Sequence, residues 1–384
     1  MRNSLLYIII LLMPLAARGQ SGDSLHRASI VIDAHNDVLI STIMEGKDIS
    51  RPLTTGHTDL PRLLEGGVDA QFFSVWCGGD YGKGRAFAYA NRQIDSLMRI
   101  INDHPDRLVL ATTADEIYQA VEDNKIAALI GVEGGHMIED NIDYLDSLYK
   151  RGARYLTLTW NNSTDWATSA SDETNPRASL KHKGLSEFGR KVVRRMNELG
   201  MMVDLAHVGR QTFFDAMEAS SKPVIVSHSN AYAIAPVSRN LRDDQIKAVA
   251  ANGGVICVNF YSAFLDASYG KKRDALYANT VPKEKKRKDL SADGRFNLLS
   301  SKSKEELRPP LSVLVDQIDY LVKIAGIDHV GLGGDFDGVE STVKNLDDVS
   351  DYPNITQALL DQGYSHGDVK KILGANVLRV LEAQ

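Results

Sequence analysis

Eight short runs rich in Val, Ile, Leu and Phe recur along the chain, separated by longer segments of helical period, and this alternation admits few folds. They are Ser29 to Ala34, Asp69 to Trp76, Ile126 to Val132, Arg154 to Thr159, Met201 to Ala206, Pro223 to Ser227, Gly254 to Phe260 and His329 to Gly334. Runs this apolar suit strands buried on both faces, which parallel strands joined by helices provide. The expected helices are Gly84 to Asn102, Thr113 to Asp123, Asn141 to Arg151, Ser186 to Leu199, Gln211 to Ala219, Asp243 to Ala251 and Glu305 to Ala325. Several open with Thr, Asn, Ser or Asp, and Gly152 and Gly200 follow two of them, as helix caps require. The predicted fold is α/β: a single (β/α)8 TIM barrel with a long insertion after the seventh run. Two C-terminal helices, Ile355 to Gln362 and Ser365 to Ala383, are expected to pack outside it. A barrel of about 250 residues with elaborations is a simpler account of the length than two domains.

In such a barrel every strand C-terminus opens onto one face, so side chains remote in sequence converge there. Here the run ends carry His35-x-Asp37, Glu133, His207, His228 and Asp335. His35 and Asp37 stand two apart on extended chain and can face the same ion. Glu133 lies among glycines, in Gly131-Val132-Glu133-Gly134-Gly135-His136, and a carboxylate there can bridge two cations. His207 and His228 each end a run and together suit a second, zinc-like ion. Each alone is weak, and the register of all five is what makes a metal centre. Asp335 can face water between the ions as a proton shuttle, while Asp337 falls in the following loop. A calcium loop is a poor alternative, since the EF-hand spacing is missing. His26, His104, His182, His329 and His366 are assigned to structure or surface, and His57 and His136 stay open as groups that orient ligands.

Residues 1–19 stand apart. Arg2 precedes the apolar stretch Leu5 to Leu15, and Ala17-Arg18-Gly19 offers small residues for cleavage before Gln20. The stretch is shorter than the roughly 20 residues that cross a bilayer. The expectation is a removed signal peptide, a mature domain of residues 20–384, and secretion across the inner membrane to the periplasm without stable membrane insertion. Losing Arg2 and Arg18 takes the formal charge from −6 to −8, which argues against nucleic acid as a partner. Cys77 and Cys257 both sit in apolar surroundings, Cys77 at the end of Phe72 to Trp76 and Cys257 within Val255 to Val258, and are expected as buried free thiols. The long connection 262–304 holds the basic runs Lys271-Lys272-Arg273 and Lys283 to Lys288, and reads as an inserted loop with a solvated surface.

With these residues in place, the chain resembles the membrane dipeptidase (renal dipeptidase) family of zinc peptidases, including bacterial secreted members. The resemblance rests on Asp33-Ala34-His35-Asn36-Asp37, His57-Thr58-Asp59-Leu60-Pro61, Gln71 to Trp76, Gly131 to His136, Tyr155 to Thr159, Val226-Ser227-His228-Ser229, Val258-Asn259-Phe260-Tyr261 and Gly333 to Gly338. It implies two zinc ions, one on His35 and Asp37, the other on His207 and His228, with Glu133 between them. It also implies that Arg239 binds the carboxylate of a small dipeptide substrate, a task its planar fork suits. Trp160, Asn259 and Tyr261 are the further substrate-binding candidates, and a second copy of the chain is an admissible partner. One departure stands out: the family commonly has His where this chain has Trp160, and indole neither binds metal nor titrates.

The expected reaction is attack of a water activated between the zincs on a dipeptide amide, with Asp335 moving the proton. Two alternatives stay open. One is another amidohydrolase-type barrel reaction on a cyclic amide, lactone or phosphotriester; the other, motivated by Trp160, is a secreted metal- or ligand-binding protein with impaired catalysis.

Overall fold

The computed structural model describes residues 22–286 and 290–384. The expected signal segment and its cleavage point, like Arg287 and Lys288 of the second basic run, lie outside the described residues.

The strands are β1 (Ile32–Asn36), β2 (Ala70–Trp76), β3 (Leu108–Leu110), β4 (Ile126–Glu133), β5 (Ala153–Thr157), β6 (Met202–Asp204), β7 (Ile225–Ser229), β8 (Val255–Val258) and β9 (Val330–Leu332). They pair in parallel in the order β2-β1-β9-β8-β7-β6-β5-β4-β3, and β4 returns to β2. That last pairing runs from Ala70 against Ala127 to Trp76 against Glu133, so eight strands form a closed barrel, and each coincides with one of the eight apolar runs. The ninth, β3, was not expected. It pairs with the first half of β4, beside which β5 takes the second half. Three residues are too few to display a period.

The apolar runs are continuous because both sheet faces are buried. Leu129 on β4 belongs to the interior cluster with Ala34, Phe72, Tyr155 and Cys257, while Ala128 and Ile130 face the helical layer. This period of two follows from the pleat, and each fully buried Leu or Ile contributes roughly 2 kcal/mol. Cys77 and Cys257 are buried and unpaired.

The C-terminal helices divide between two places. Tyr352–Gln362 packs outside the barrel, where His26 of the helix Gly22–Arg27 binds Thr356 Oγ1 at 2.7 Å. The final segment instead closes the strands' N-terminal end. There Val377, Leu378, Val380 and Leu381 of the helix Asn376–Glu382 join the interior cluster, and Asn376 Nδ2 donates to the carbonyls of Ile327 and Val330, each at 2.8 Å. Its apolar face is the lid of a cylinder whose floor would otherwise meet water.

The helix expected over Glu305 to Ala325 is two, Ser301–Leu307 and Ser312–Ala325, because Pro309 and Pro310 cannot continue the first. The insertion 262–304 is not a bare loop. It contains helices Ser262–Leu265, Tyr269–Thr280 and Ala292–Asn297, which with Ser301–Leu307 bury a small core of Tyr269, Tyr277, Val281, Phe296, Leu299 and Leu307. Among the described residues no helix is long and apolar enough to cross a membrane.

Candidate metal centre

Six side chains meet at the strands' C-terminal end. β1 delivers His35 and, just past its end, Asp37; β4 ends on Glu133, and β7 carries His228. His207 and Asp335 follow β6 and β9 with left-handed backbone, at φ of 63° and 60°. Non-glycine residues bear a steric cost there, and it is commonly found where side chains must be aimed. All six are buried.

Their tips converge. His207 Nε2 lies 2.8 Å from Glu133 Oε1 and 3.0 Å from His228 Nε2. His228 Nε2 lies 3.5 Å from Glu133 Oε1. His35 Nε2 is 3.5 Å from Asp37, 3.7 Å from Glu133 and 4.0 Å from Asp335. His35, Glu133 and His228 form one group with donor atoms close enough to share an ion, and His35, Asp37 and Asp335 a second. Gly338 crosses directly over these acids, and a Cβ there would collide with Asp37 and Asp335.

Hydrogen bonding behind the rings fixes their tautomers. Ser227 Oγ donates to Asp204 at 2.7 Å and therefore accepts from His228 Nδ1 at 2.8 Å. Tyr155 Oη donates to the Ala34 carbonyl at 3.1 Å and accepts from His35 Nδ1 at 2.9 Å. His207 Nδ1 donates to Asn161 Oδ1 at 3.1 Å. With Nδ1 so engaged, the neutral rings of His207 and His228 turn their Nε2 lone pairs toward the cluster, and His35 does the same once a cation displaces its Nε2 proton. Two such lone pairs 3.0 Å apart, His207 against His228, repel unless a cation lies between them. His35 Nε2 and Asp37 Oδ1 are buried without a hydrogen-bond partner. Imidazole and carboxylate donors in this orientation fit divalent cations of the zinc type.

The electrostatics agree. Burial holds His207 and His228 well below the ordinary histidine range, with nearby Arg239 and His35 adding to the effect. Burial pushes Glu133 well up and Asp335 up to about 7. Burial would lower His35 too, but Glu133, Asp37 and Asp335 outweigh it and lift the ring to about 10. Three buried acids face too little positive charge, and clustered carboxylates of this kind are held apart by metal or by protons.

Beside the cluster opens a cavity of about 350 Å³, lined by Trp76, Trp160, Asn161, Arg239, Tyr261, Phe264, Val339 and Glu340 and, from the cluster, by Asp37, Glu133, His207 and Asp335. Arg239 Nε and Nη2 are buried without partners, and its guanidinium lies 5.5 Å from the Phe264 ring centre. Burial lowers its pKa to about 10. A buried guanidinium with unused donors has the chemistry to receive an anion.

Of the expected substrate contacts, Trp160, Arg239 and Tyr261 line this cavity. Asn259 does not. It is fully buried, and its Nδ2 donates to Asp335 Oδ2 at 2.7 Å, so it stands behind the acid. The same side chain accepts from the Tyr261 amide at 2.6 Å, and Tyr261 Oη donates to Glu340 at 2.6 Å. Arg273 of the insertion reaches Glu340 at 3.8 Å. Asp337 and His57 bind each other's backbone amides, which places both in a loop clasp away from the cluster. His136 Nε2 donates to the Cys77 carbonyl at 3.0 Å. Sequence reasoning assigned no role to Tyr155, Asp204, Ser227, Phe264, Val339 or Glu340. Tyr155 and Ser227 fall within the stretches that carry the family resemblance, which is the signal that could have pointed to them.

A family model described as Membrane dipeptidase (Peptidase family M19) matches residues 20–384. Among solved structures, the probable dipeptidase PvdM from Pseudomonas aeruginosa is similar at a TM-score of 0.79 and 24% identity, covering 94% of this chain and 97% of its own. A metallopeptidase of the same family, dipeptidase AC, matches at 0.76 and 26%, covering 92% and 98%. A metallopeptidase from Rhodobacter sphaeroides, solved with a phosphinate mimic of the dipeptide L-Ala-D-Ala, matches at 0.75 and 25%, covering 92% and 99%. The chain belongs to the membrane dipeptidase family, and it is a metallopeptidase with a TIM-barrel fold.

Proposed function

We propose that this protein hydrolyses dipeptides with two zinc ions. His35 and Asp37 would hold one, His207 and His228 the other, and Glu133 both. The single observation that carries the reading is the set of three tautomer-fixed imidazoles facing acids beside a buried, unpartnered guanidinium. Zinc, when bound, supplies an acidified water and a Lewis acid for the carbonyl oxygen.

The chain's own groups do the rest. Arg239 grips the substrate's carboxylate through Nε and Nη2, which sets the scissile amide over the cluster and favours substrates ending one residue beyond it. Asp335 keeps Oδ1 toward the cluster while Asn259 pins Oδ2, so Oδ1 takes the proton of the attacking water and gives it to the departing amine. The cavity, at about 350 Å³, suits a small ligand better than a folded protein. Tyr261 and Trp160 complete its walls. We further place residues 1–19 as a secretion signal ahead of a periplasmic domain of residues 20–384, with 262–304 as an insertion in that domain.

The test joins metal analysis of the purified protein to a dipeptide panel that includes D-residues at the C-terminal position. Two zincs per chain, activity lost to a chelator and restored by zinc, and cleavage of dipeptides over longer peptides are expected. A protein with two zincs that cleaves no dipeptide would refute the proposal.

A further inference from the structure

Two of the chain's three tryptophans stand at the cavity wall, and the catalytic roles above leave them unused. Trp76 ends β2 and Trp160 follows β5. These strands flank β4, so the two indoles meet above Glu133, with centroids 5.1 Å apart and planes inclined by 24°. Both are half-buried, whereas the third, Trp166, is buried in the helical layer. Trp160 also lies 6.4 Å from the His207 ring. The stack therefore sits at the edge of the metal cluster with part of its surface toward the cavity.

The barrel places this wall opposite the anion receptor. Around the eight-strand ring, β4 is diametrically opposed to β8. Arg239 comes from the loop between β7 and β8, and Phe264, over which it lies, follows β8. A substrate with its carboxylate on Arg239 and its scissile carbonyl over the cluster must point its amino-terminal residue at the far wall. That wall is indole.

We infer that the Trp76–Trp160 stack is a specificity surface that selects dipeptides with an aromatic or large apolar amino-terminal side chain. The inference rests on the dipeptidase reading and deepens it. Flat, polarisable rings reward an aromatic partner through offset stacking beyond the area buried, and reward a methyl group little. An indole face also attracts cations, so the substrate's ammonium group is the competing occupant. The two differ in outcome, because every dipeptide carries the ammonium and only some carry the ring.

The zinc-loaded wild type, Trp160→Ala, Trp160→Phe and Trp76→Leu are compared on Phe-Ala, Leu-Ala and Ala-Ala. The readout is the ratio of kcat/KM for Phe-Ala to that for Ala-Ala, which cancels any inactive fraction. Binding of phosphinate analogues of Phe-Ala and Ala-Ala is followed in parallel by tryptophan fluorescence. The wild-type ratio is expected at about tenfold or more, falling toward one in Trp160→Ala and largely kept in Trp160→Phe. The Phe analogue should bind more tightly by a similar factor, with the larger fluorescence change. Cleavage without preference, a ratio unmoved by Trp160→Ala, or equal losses on all three substrates would overturn the inference and leave the dipeptidase reading standing. No cleavage but ring-selective binding would sink the dipeptidase reading alone, and neither cleavage nor binding would sink both.

Discussion

Arg239→Met separates stability from substrate binding in one substitution. The guanidinium is buried, Nε and Nη2 lack partners, and burial has lowered its pKa to about 10. At about 1.4 kcal/mol per pH unit, that displacement sets ~3 kcal/mol against the charged form in the folded chain. The figure is net of attraction to Asp335, Glu133 and Asp204. Methionine retains much of the aliphatic stem and gives up the contact with Phe264, worth ~1 kcal/mol. Arg239→Met should therefore stabilise the protein by ~2 kcal/mol, a rise in Tm of a few degrees. The folded pKa lies below the unfolded one, so this cost is fully present below about pH 10; the gain should be level above the Asp335 titration and larger below about pH 7, where Asp335 takes up its proton and no longer attracts Arg239. It should grow when zinc is bound, since zinc neutralises the acids that favour Arg239. Against this, two charge-assisted hydrogen bonds to the substrate carboxylate, at about 1.5–3 kcal/mol each, disappear, and KM should rise by about 100-fold or more. The assays are thermal melts with and without zinc, and steady-state kinetics on one dipeptide. A Tm that falls by several degrees with KM unchanged would show that Arg239 is a structural counter-ion to the cluster and not a receptor.

Three further outcomes follow from the same geometry. Ser227→Ala removes the acceptor that fixes the His228 tautomer, and zinc affinity measured by chelator competition should fall about 10- to 100-fold; an unchanged affinity would break the Asp204–Ser227–His228 argument. Asp335→Asn should lower kcat by about 100-fold or more, and retention of activity in a zinc-loaded preparation would exclude Asp335 as proton carrier. Asp69, remote from the cluster, is raised by burial to about 6, so the folded state holds its proton more tightly than the unfolded one. The stability this gives is present below about pH 4 and is lost as pH rises to about 6. Asp69→Asn should then raise stability by ~1–2 kcal/mol at pH 7.5 relative to wild type and leave it unchanged near pH 4, as denaturant titrations at the two pH values would show. An equal effect at both would deny the ionisation its role.

Much of this molecule was legible in its residues. Apolar runs of five to eight residues alternating with helical periods dictate buried parallel strands, because only a two-sided environment tolerates them, and the observed staves coincide with those runs. The placement of His35, Asp37, Glu133, His207, His228 and Asp335 at run ends was visible for the same reason, since direction along a parallel strand fixes which end faces the site. β3 was not legible, being too short for a period, and the split of Glu305 to Ala325 was missed although Pro309 and Pro310 announced it.

The chain by itself therefore determined the barrel and the side chains gathered at its mouth, because period and strand direction are local properties. Only the tertiary structure decided the rest: that the last helix plugs the barrel instead of flanking it, that Asn259 supports Asp335 from behind, and that Trp76 and Trp160 share a wall opposite Arg239. Those relations depend on how a closed ring sets distant strands beside or across from one another. No spacing along a linear sequence encodes that until the ring is shut.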